Sequence, residues 1–138
     1  MRSKRASGSR RSSRKSGPER WKIILPEDVS RTLSRDPLSG FVAYVPIGSI
    51  ARGEALVRGG PSGKTVQCAI CHGEGLKGLG EVPRLAGLQP LYVARQLFDM
   101  RYGSSAGKAA ALMKAIVTNL TEDDIIAISA YVASLPPQ

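Results

Sequence analysis

The stretch Cys68-Ala69-Ile70-Cys71-His72 contains both cysteines and the single histidine of this 138-residue chain. The spacing C-x-x-C-H is the attachment signature of a c-type haem. Two thiols three positions apart lie on one turn, so each can form a thioether with one of the two haem vinyl groups, and the adjacent imidazole can ligate the iron. The sequence therefore predicts one covalently attached haem c, held by Cys68 and Cys71, with His72 as an axial iron ligand.

A C-x-x-C pair also has other interpretations: a thioredoxin-like redox pair, half of a zinc site, or a chance disulfide. A structural zinc site needs four thiolate or imidazole ligands, and the chain has three such residues in all. Thioredoxin-like chemistry needs a βαβ setting, whereas glycine-rich segments flank this motif. Haem attachment is therefore the favoured interpretation.

The iron needs a second axial ligand, and a bis-histidine site within the chain is excluded because no second histidine is present. The candidates are Met113, Met100, a lysine or an open position. Met100 belongs to the end of a predicted helix and could simply pack there. We favour Met113, because it follows a flexible loop from which it can cross to the opposite face of the haem.

The composition favours one domain with a large apolar cofactor. A chain of this length suits one compact domain with extensions. Aromatic residues make up only 5% of the chain. Few large side chains are therefore available to fill a core, unless a group such as a haem occupies its centre. No run of eighteen or more apolar residues is present, so the sequence predicts no transmembrane segment.

The positive charge is concentrated at the amino-terminal end. The net charge is +9, and residues 1–20 account for +7 of it, with eight basic side chains and Glu19. Residues 1–17 are rich in arginine, lysine and serine, so we predict a disordered basic tail that carries no apolar segment of a secretory signal. A nucleic-acid or anionic-membrane patch and a transit presequence are alternatives. We favour a solvated tail, or a translated stretch that lies upstream of the true domain, over these alternatives.

Residues 18–48 are predicted to form an extended docking arm without chemistry of its own. Prolines and glycines interrupt this segment repeatedly, which disfavours regular structure. Residues 41–45 could form a short strand, but an extended segment docked on the domain surface or on a partner domain is favoured. Its expected anchors are Trp21, Phe41 and Tyr44.

Residues 49–138 are predicted to form the folded domain. Apolar spacing and capping signals predict helices over residues 50–58, 90–102, 109–117 and 121–134. Ser49 is the expected N-cap of the first helix, and the second is expected to bury Leu91, Ala94, Leu97 and Phe98. Gly53 costs about 1 kcal/mol relative to alanine inside a helix, which indicates a close crossing with another helix.

The chain resembles a class I bacterial cytochrome c, and in particular one haem domain of the two-haem bacterial cytochromes. The resemblance covers roughly residues 49–135 and is carried by residues 68–72, 83–87, 92–97, Met113, 120–125 and 131–135. It implies an all-α fold, a small bundle of three to five helices around a covalent haem. It also implies that the first and last helices cross closely, with Gly53 near Ile128 and Tyr131.

The resemblance further implies the ligand set. His72 and Met113 match the axial ligands of that family, and Pro83 matches a proline whose carbonyl accepts the N–H of the ligand histidine and orients it. A neutral thioether opposite an imidazole raises the reduction potential of the iron. The basic tail and the presence of one haem motif instead of two depart from the two-haem pattern.

The function implied is electron transfer, one electron per turnover, by a carrier that is not itself an enzyme. Redox protein partners are expected to dock transiently, with a membrane or a dehydrogenase complex as further candidates and no nucleic acid. Haem c attachment implies the periplasm or an equivalent oxidising compartment. Arg84, Arg95 and Lys114 are candidates for steering partners or pairing with haem propionates, the plain alternative being ordinary surface charge.

Two rival interpretations stay open. The chain could be the cytochrome subunit or detached domain of a dehydrogenase or oxidase, docked through residues 18–48. If Met113 is not bound, an open iron position could support weak peroxidase activity or gas sensing.

Overall fold

The computed structural model describes residues 23–59, 64–105 and 107–137. In chain order the elements are strand β1 (Ile23–Pro26), helix α1 (Val29–Leu33), strand β2 (Phe41–Tyr44), helices α2 (Ser49–Val57) and α3 (Ala69–His72), a 3-10 turn (Glu74–Leu76), and helices α4 (Pro90–Tyr102), α5 (Lys108–Val117) and α6 (Glu122–Ser134). The predicted helical bundle is confirmed, with α2 to α6 in the predicted domain. The predicted tail and Trp21 lie outside the described residues. No helix within the described ranges is long and apolar enough to cross a membrane.

The core forms where α2 and α4 pack against α6. Helix α6 is its central element, because Ile125 and Val132 are completely shielded from solvent. The other helices contribute small and branched apolar side chains at helical spacing. The larger buried apolar side chains are Leu56, Val57, Leu76, Val93, Leu97, Val117, Leu120, Ile125, Ile128 and Val132.

Gly53 lies where α2 crosses α6. A Cβ atom at this position would stand 2.6 Å from the carbonyl carbon of Ala127 and 2.8 Å from Cβ of Tyr131. Both distances are too short for real contacts, so only glycine lets the two helices approach this closely. The close crossing predicted from the sequence is confirmed, with Ala127 in the position expected for Ile128.

Replacing Gly53 with alanine is therefore expected to destabilise the protein by about 2 kcal/mol. Helix propensity alone would stabilise this variant by about 1 kcal/mol, but overpacking against backbone atoms costs about 3 kcal/mol. Urea unfolding of the haem-loaded protein would measure the difference. The matched control is Ala55→Gly, an exposed site on the same helix, where propensity alone should act. A Gly53→Ala variant as stable as the parent would contradict the crossing.

Local signals located some helix ends well and others poorly. Helix α4 has the predicted bounds, with Pro90 in its first turn and Gly103 at its C-cap in a left-handed conformation (φ 77°). The N-cap prediction for α2 is wrong, because Ser49 is already helical and Gly48 caps the helix with φ 86°. Within α4, Leu91 is exposed, and Val93 is buried in the core instead.

The arm contains more regular structure than the sequence analysis favoured. Strands β1 and β2 form an antiparallel pair in which Ile24 lies opposite Ala43 and Leu25 opposite Val42. The less favoured strand over residues 41–45 is thus present, because β1 satisfies its backbone hydrogen bonds. Phe41 and Tyr44 are about half exposed. An apolar groove of about 210 Å³ separates the hairpin from α4 and α6 and is lined by residues including Ile24, Tyr44, Pro90, Ala94, Ile126 and Ala130.

Candidate functional site

The C-x-x-C-H motif folds into the single turn of α3. The N–H groups of Cys71 and His72 both bond to the carbonyl of Cys68, at 3.2 and 2.9 Å. This turn leaves Cys71 exposed and Cys68 half-buried, and it buries His72 to 6% exposure. Both thiols are free. The motif therefore presents two thiols and one buried imidazole from a single helical turn.

The start of the motif is fixed to the end of α2. The N–H of Cys68 donates to the carbonyl of Val57 at 3.0 Å. Just before it, the buried Thr65 hydroxyl donates to the carbonyl of Leu56. Two successive carbonyls at the end of α2 thus hold the segment that leads into Cys68.

The imidazole of His72 is oriented by a backbone carbonyl. Its Nδ1 lies 2.7 Å from the oxygen of Pro83. A carbonyl oxygen only accepts, so Nδ1 carries the proton and the lone pair is on Nε2, the nitrogen that can ligate a metal. Sequence reasoning singled out Pro83 for this contact.

The loop that carries Pro83 is held by backbone hydrogen bonds both before and after Pro83. The N–H of Gly78 donates to the carbonyl of His72 at 2.7 Å, and that of Leu85 donates to the carbonyl of Leu76 at 2.8 Å. Gly73, which starts this loop, has φ 79°, and a Cβ there would lie 3.1 Å from the carbonyl carbon of Gly78. The loop can therefore fold back over His72 only with glycine at this position.

The thiol of Cys68 differs from that of a redox-active C-x-x-C nucleophile. Burial raises the pKa of Cys68, and a backbone hydrogen bond only partly offsets this. Thioredoxin-like nucleophiles have lowered pKa values that favour the thiolate. The neutral thiol does not match the chemistry of the thioredoxin-like alternative.

Both candidate methionines border the same apolar core as the motif. Met113 in the middle of α5 and Met100 near the end of α4 are half-buried against the core cluster, and Cys68 packs against that cluster too. The structure therefore brings the thioether candidates and the haem motif to one apolar centre. Burial alone does not separate Met113 from Met100.

A buried carboxylate joins three segments near the motif. Asp124 is 1% exposed; its Oδ1 accepts from Arg52 at 2.6 Å and its Oδ2 from Lys64. The N–H of Thr121 adds a 2.9 Å bond, which completes a capping box at the start of α6. Burial by itself would raise the pKa of Asp124, but the bonds from Lys64, Thr121 and Arg52 outweigh it and hold that pKa well below the usual range. The sequence analysis did not predict this cluster, because Arg52 and Lys64 lie far from Asp124 along the chain.

The three basic residues considered for propionate pairing differ in their surroundings. Arg84 is exposed, and Arg95 is 79% exposed, 3.7 Å from Asp99 in the next turn of α4. Lys114 follows Met113 in α5. A fourth basic residue, Arg101, was not considered, although its buried Nη1 atom has no hydrogen-bond partner. Arg101 differs from the other three only in the burial of this atom, and no local sequence signal predicts that burial.

This fold and motif are those of a haem-binding electron-transfer domain. The family described as Cytochrome c matches residues 50–136, and the chain belongs to it. Particular relatives are cytochrome c4 of Pseudomonas aeruginosa, 37% identical over 62% of this chain and 45% of that protein, and a thiosulfate dehydrogenase electron acceptor of Thiomonas intermedia, 33% identical over 71% and 46%. The chain spans about half the length of these relatives.

The solved structures agree with the sequence relatives. The crystal structure of reduced recombinant cytochrome c4 from Pseudomonas stutzeri superposes with a TM-score of 0.60, at 29% identity, over 79% of this chain and 67% of that one. The predicted family and its likeness to a haem domain of the two-haem bacterial cytochromes are confirmed. The cytochrome c family transfers electrons through covalent haem c, and the free thiols and oriented imidazole of residues 68–72 fit that group.

Proposed function

We propose that this chain is a one-haem electron carrier in which Cys68 and Cys71 hold haem c and His72 and Met113 ligate its iron. The observation that carries the proposal is the 2.7 Å contact between His72 Nδ1 and the Pro83 oxygen. This contact leaves Nε2 as the ligating nitrogen beside two free thiols. One C-x-x-C-H motif in the sequence supports one haem.

Each residue of the proposed site has a distinct task. When bound, haem c supplies a one-electron Fe(III)/Fe(II) couple. Cys68 and Cys71 would anchor it covalently, and Pro83 would keep the imidazole of His72 in one orientation and strengthen its basicity. Met113 would fill the remaining axial position with a neutral thioether, which raises the reduction potential and excludes oxygen or substrate.

The test of Met113 is the absorption spectrum of the oxidised protein. We expect the wild type to have the weak near-infrared band of methionine-to-iron charge transfer, and Met113→Ala to lose it, with a lower reduction potential. The matched control is Met100→Ala, which removes a thioether half-buried against the same core and should keep the band. Loss of the band in Met100→Ala alone would assign the ligand to Met100. A wild type without the band would favour the open-iron alternative.

We also propose that the protein works in the periplasm or an equivalent oxidising compartment and that its partners are redox proteins. Covalent attachment of haem c normally takes place in such compartments. Encounters between electron carriers are usually small and transient. Fractionation of cells followed by haem staining would test the location.

A second candidate function is that of a cytochrome subunit or domain within a dehydrogenase complex. One relative is named as a thiosulfate dehydrogenase electron acceptor. The described part of the proposed docking arm exposes large apolar side chains, with Ile47 91% exposed. Such side chains favour a protein partner. Stable co-purification with a dehydrogenase, lost on replacing Leu38 and Ile47 with serine, would support this function. A chain that purifies alone and exchanges electrons by collision would favour the simple carrier.

A further inference from the structure

One contact fixes the hydrogen-bond pattern of the small sheet formed by β1 and β2. The N–H of Glu27 donates to the carbonyl of Gly40 at 2.9 Å, and the register of the strands places these two residues opposite each other. Hydrogen-bonded and non-bonded pairs alternate along an antiparallel ladder. Val42 is therefore bonded to β1, whereas the N–H and C=O groups of Phe41 and Ala43 point away from β1, to the outer edge of β2.

This outer edge of β2 is open. All four residues of β2 are exposed, and no other described residue forms a hydrogen bond with the outward groups of Phe41 and Ala43. The outer edge of β1 is interrupted, because one of its outward positions is Pro26, which has no N–H. Exposed sheet edges usually carry charged residues or proline, which prevent pairing with another chain. Since β2 has neither, it can accept a further strand.

The hairpin also leaves one apolar face uncovered. Ile24 and Ala43 line the groove over α4 and α6, and successive side chains point to opposite faces of a sheet. Leu25 and Val42 lie opposite each other and therefore point away from the groove, with exposures of 48% and 40%. A two-stranded hairpin is marginally stable by itself, and further strands would stabilise it.

We propose that β2 pairs with β2 of a second copy of this chain, across a two-fold axis at Val42, and so forms a four-stranded intermolecular sheet. In this register Phe41 lies opposite Ala43 of the second copy, and Val42 lies opposite Val42 of that copy. Each pair of Phe41 and Ala43 exchanges both backbone hydrogen bonds. The large ring of Phe41 lies beside a small methyl group, so the two copies fit without a steric clash.

Charge and symmetry favour a second copy over other partners. Strand β2 contains no charged residue, so no like charges meet across the axis. Residues 23–48 carry three acidic and two basic side chains, so two arms repel each other little and an anionic lipid surface is disfavoured. The +7 charge of residues 1–20 precedes β1, and the two-fold axis places the starts of the two β1 strands at opposite ends of the sheet.

The small size of the contact sets its strength. Two four-residue strands bury less than the about 1,200 Å² at the lower limit of stable interfaces. We therefore expect monomers and dimers to exchange, with the dimer favoured at high protein concentration. The pairing does not require haem, but with haem attached as proposed the dimer would hold two one-electron centres.

The test is a disulfide trap in the haem-loaded protein. Opposite residues of a non-hydrogen-bonded pair have Cα atoms about 4.5 Å apart, a separation that a disulfide can span. Under mild oxidation we expect Val42→Cys to form a covalent dimer. Leu25→Cys, on the same face and similarly exposed, should form at least tenfold less, because the two Leu25 sites are three strand spacings apart, about 14 Å.

Sedimentation equilibrium of the haem-loaded protein is an independent measurement. We expect a monomer–dimer equilibrium that Val42→Lys weakens at least tenfold, because two like charges would meet on the axis. Ile47→Lys adds the same charge at a site that is 91% exposed and outside β2, and it should leave the equilibrium unchanged. Ala43→Pro removes an outward N–H but no bond to β1, and it should also weaken the dimer.

Several outcomes would overturn the pairing. These are equal crosslinking of Val42→Cys and Leu25→Cys, a wild type that stays monomeric at every concentration, and a dimer that Val42→Lys and Ala43→Pro leave intact. If Val42→Lys does not fold, Ala43→Pro decides. Wild type oxidised in parallel shows whether Cys68 and Cys71 are free. A crosslink there would contradict the proposed function, and sedimentation would then decide the pairing of β2.

Discussion

Replacing Cys68 and Cys71 together with alanine is expected to abolish covalent haem attachment. These are the only thiols in the chain, so no other residue can form a thioether in their place. The loss should appear as absence of haem staining on denaturing gels and as a protein mass without the haem. His72 would keep its contact with Pro83, so some haem could still bind through the iron alone and would be extracted by acidified acetone.

The variant Ile70→Ala is the matched control for this loss. Ile70 stands between the two cysteines in the sequence and is 64% exposed, so removal of its side chain should leave attachment intact. Single replacements of Cys68 or Cys71 should each leave one thioether and shift the band of the pyridine haemochrome. Covalent haem retained by the double variant would refute the attachment site.

The same double variant is also expected to be less stable than the parent. The part of the chain that the structure describes buries no aromatic side chain completely, and its core consists of small and branched residues around α6. Such a core supplies limited apolar area for a domain of this size. Covalent attachment makes the haem a permanent part of the core, so losing it should broaden and lower the thermal transition.

Local chemistry explains which elements the sequence predicted well. The bounds of α4 follow from Pro90 and Gly103, whose backbone preferences act within one turn. The start of α6 follows from Thr121, whose hydroxyl accepts the N–H of Asp124 at 3.2 Å. The motif that folds into α3 was found because attachment to haem requires a fixed spacing of residue types.

Contacts between distant segments explain what the sequence analysis missed. Strand β2 was given less weight because its stability comes from β1, about twenty residues earlier. Ser49 had the chemistry of an N-cap, but its N–H bonds to the carbonyl of Pro46 and the helix starts one residue earlier than expected. The burial of Arg101 depends on how α4 meets α5, which neither helix encodes alone. Met113 stays a prediction, since its thioether can be assigned only with the haem bound.

Replacing Asp124 with asparagine is expected to lower the free energy of unfolding by about 3 kcal/mol at neutral pH. Asparagine preserves the shape of the side chain, but its amide group keeps only one acceptor oxygen. One hydrogen bond to a cation is lost and the other becomes a bond to a neutral acceptor, where each contributes about 1.5–3 kcal/mol when charged. The loss stays below that of a fully buried pair, because the side chains of Arg52 and Lys64 are 52% and 31% exposed and can turn to water. Lys64 would also be released from the segment leading to Cys68.

The loss of stability in Asp124→Asn should become smaller as the pH falls. The pKa of Asp124 is lowered in the folded protein, so its stabilisation is fully present above the unfolded pKa of about 3.9 and is lost as the pH falls toward the folded value. The difference in urea unfolding between wild type and Asp124→Asn should thus be constant from about pH 5 to 8 and shrink below about pH 4. The exposed neighbour Asp123→Asn is the control and should cost less than 1 kcal/mol, through the helix dipole alone. Equal losses in the two variants, or a difference that grows with acid, would mean that Asp124 only caps α6 and does not tie it to α2.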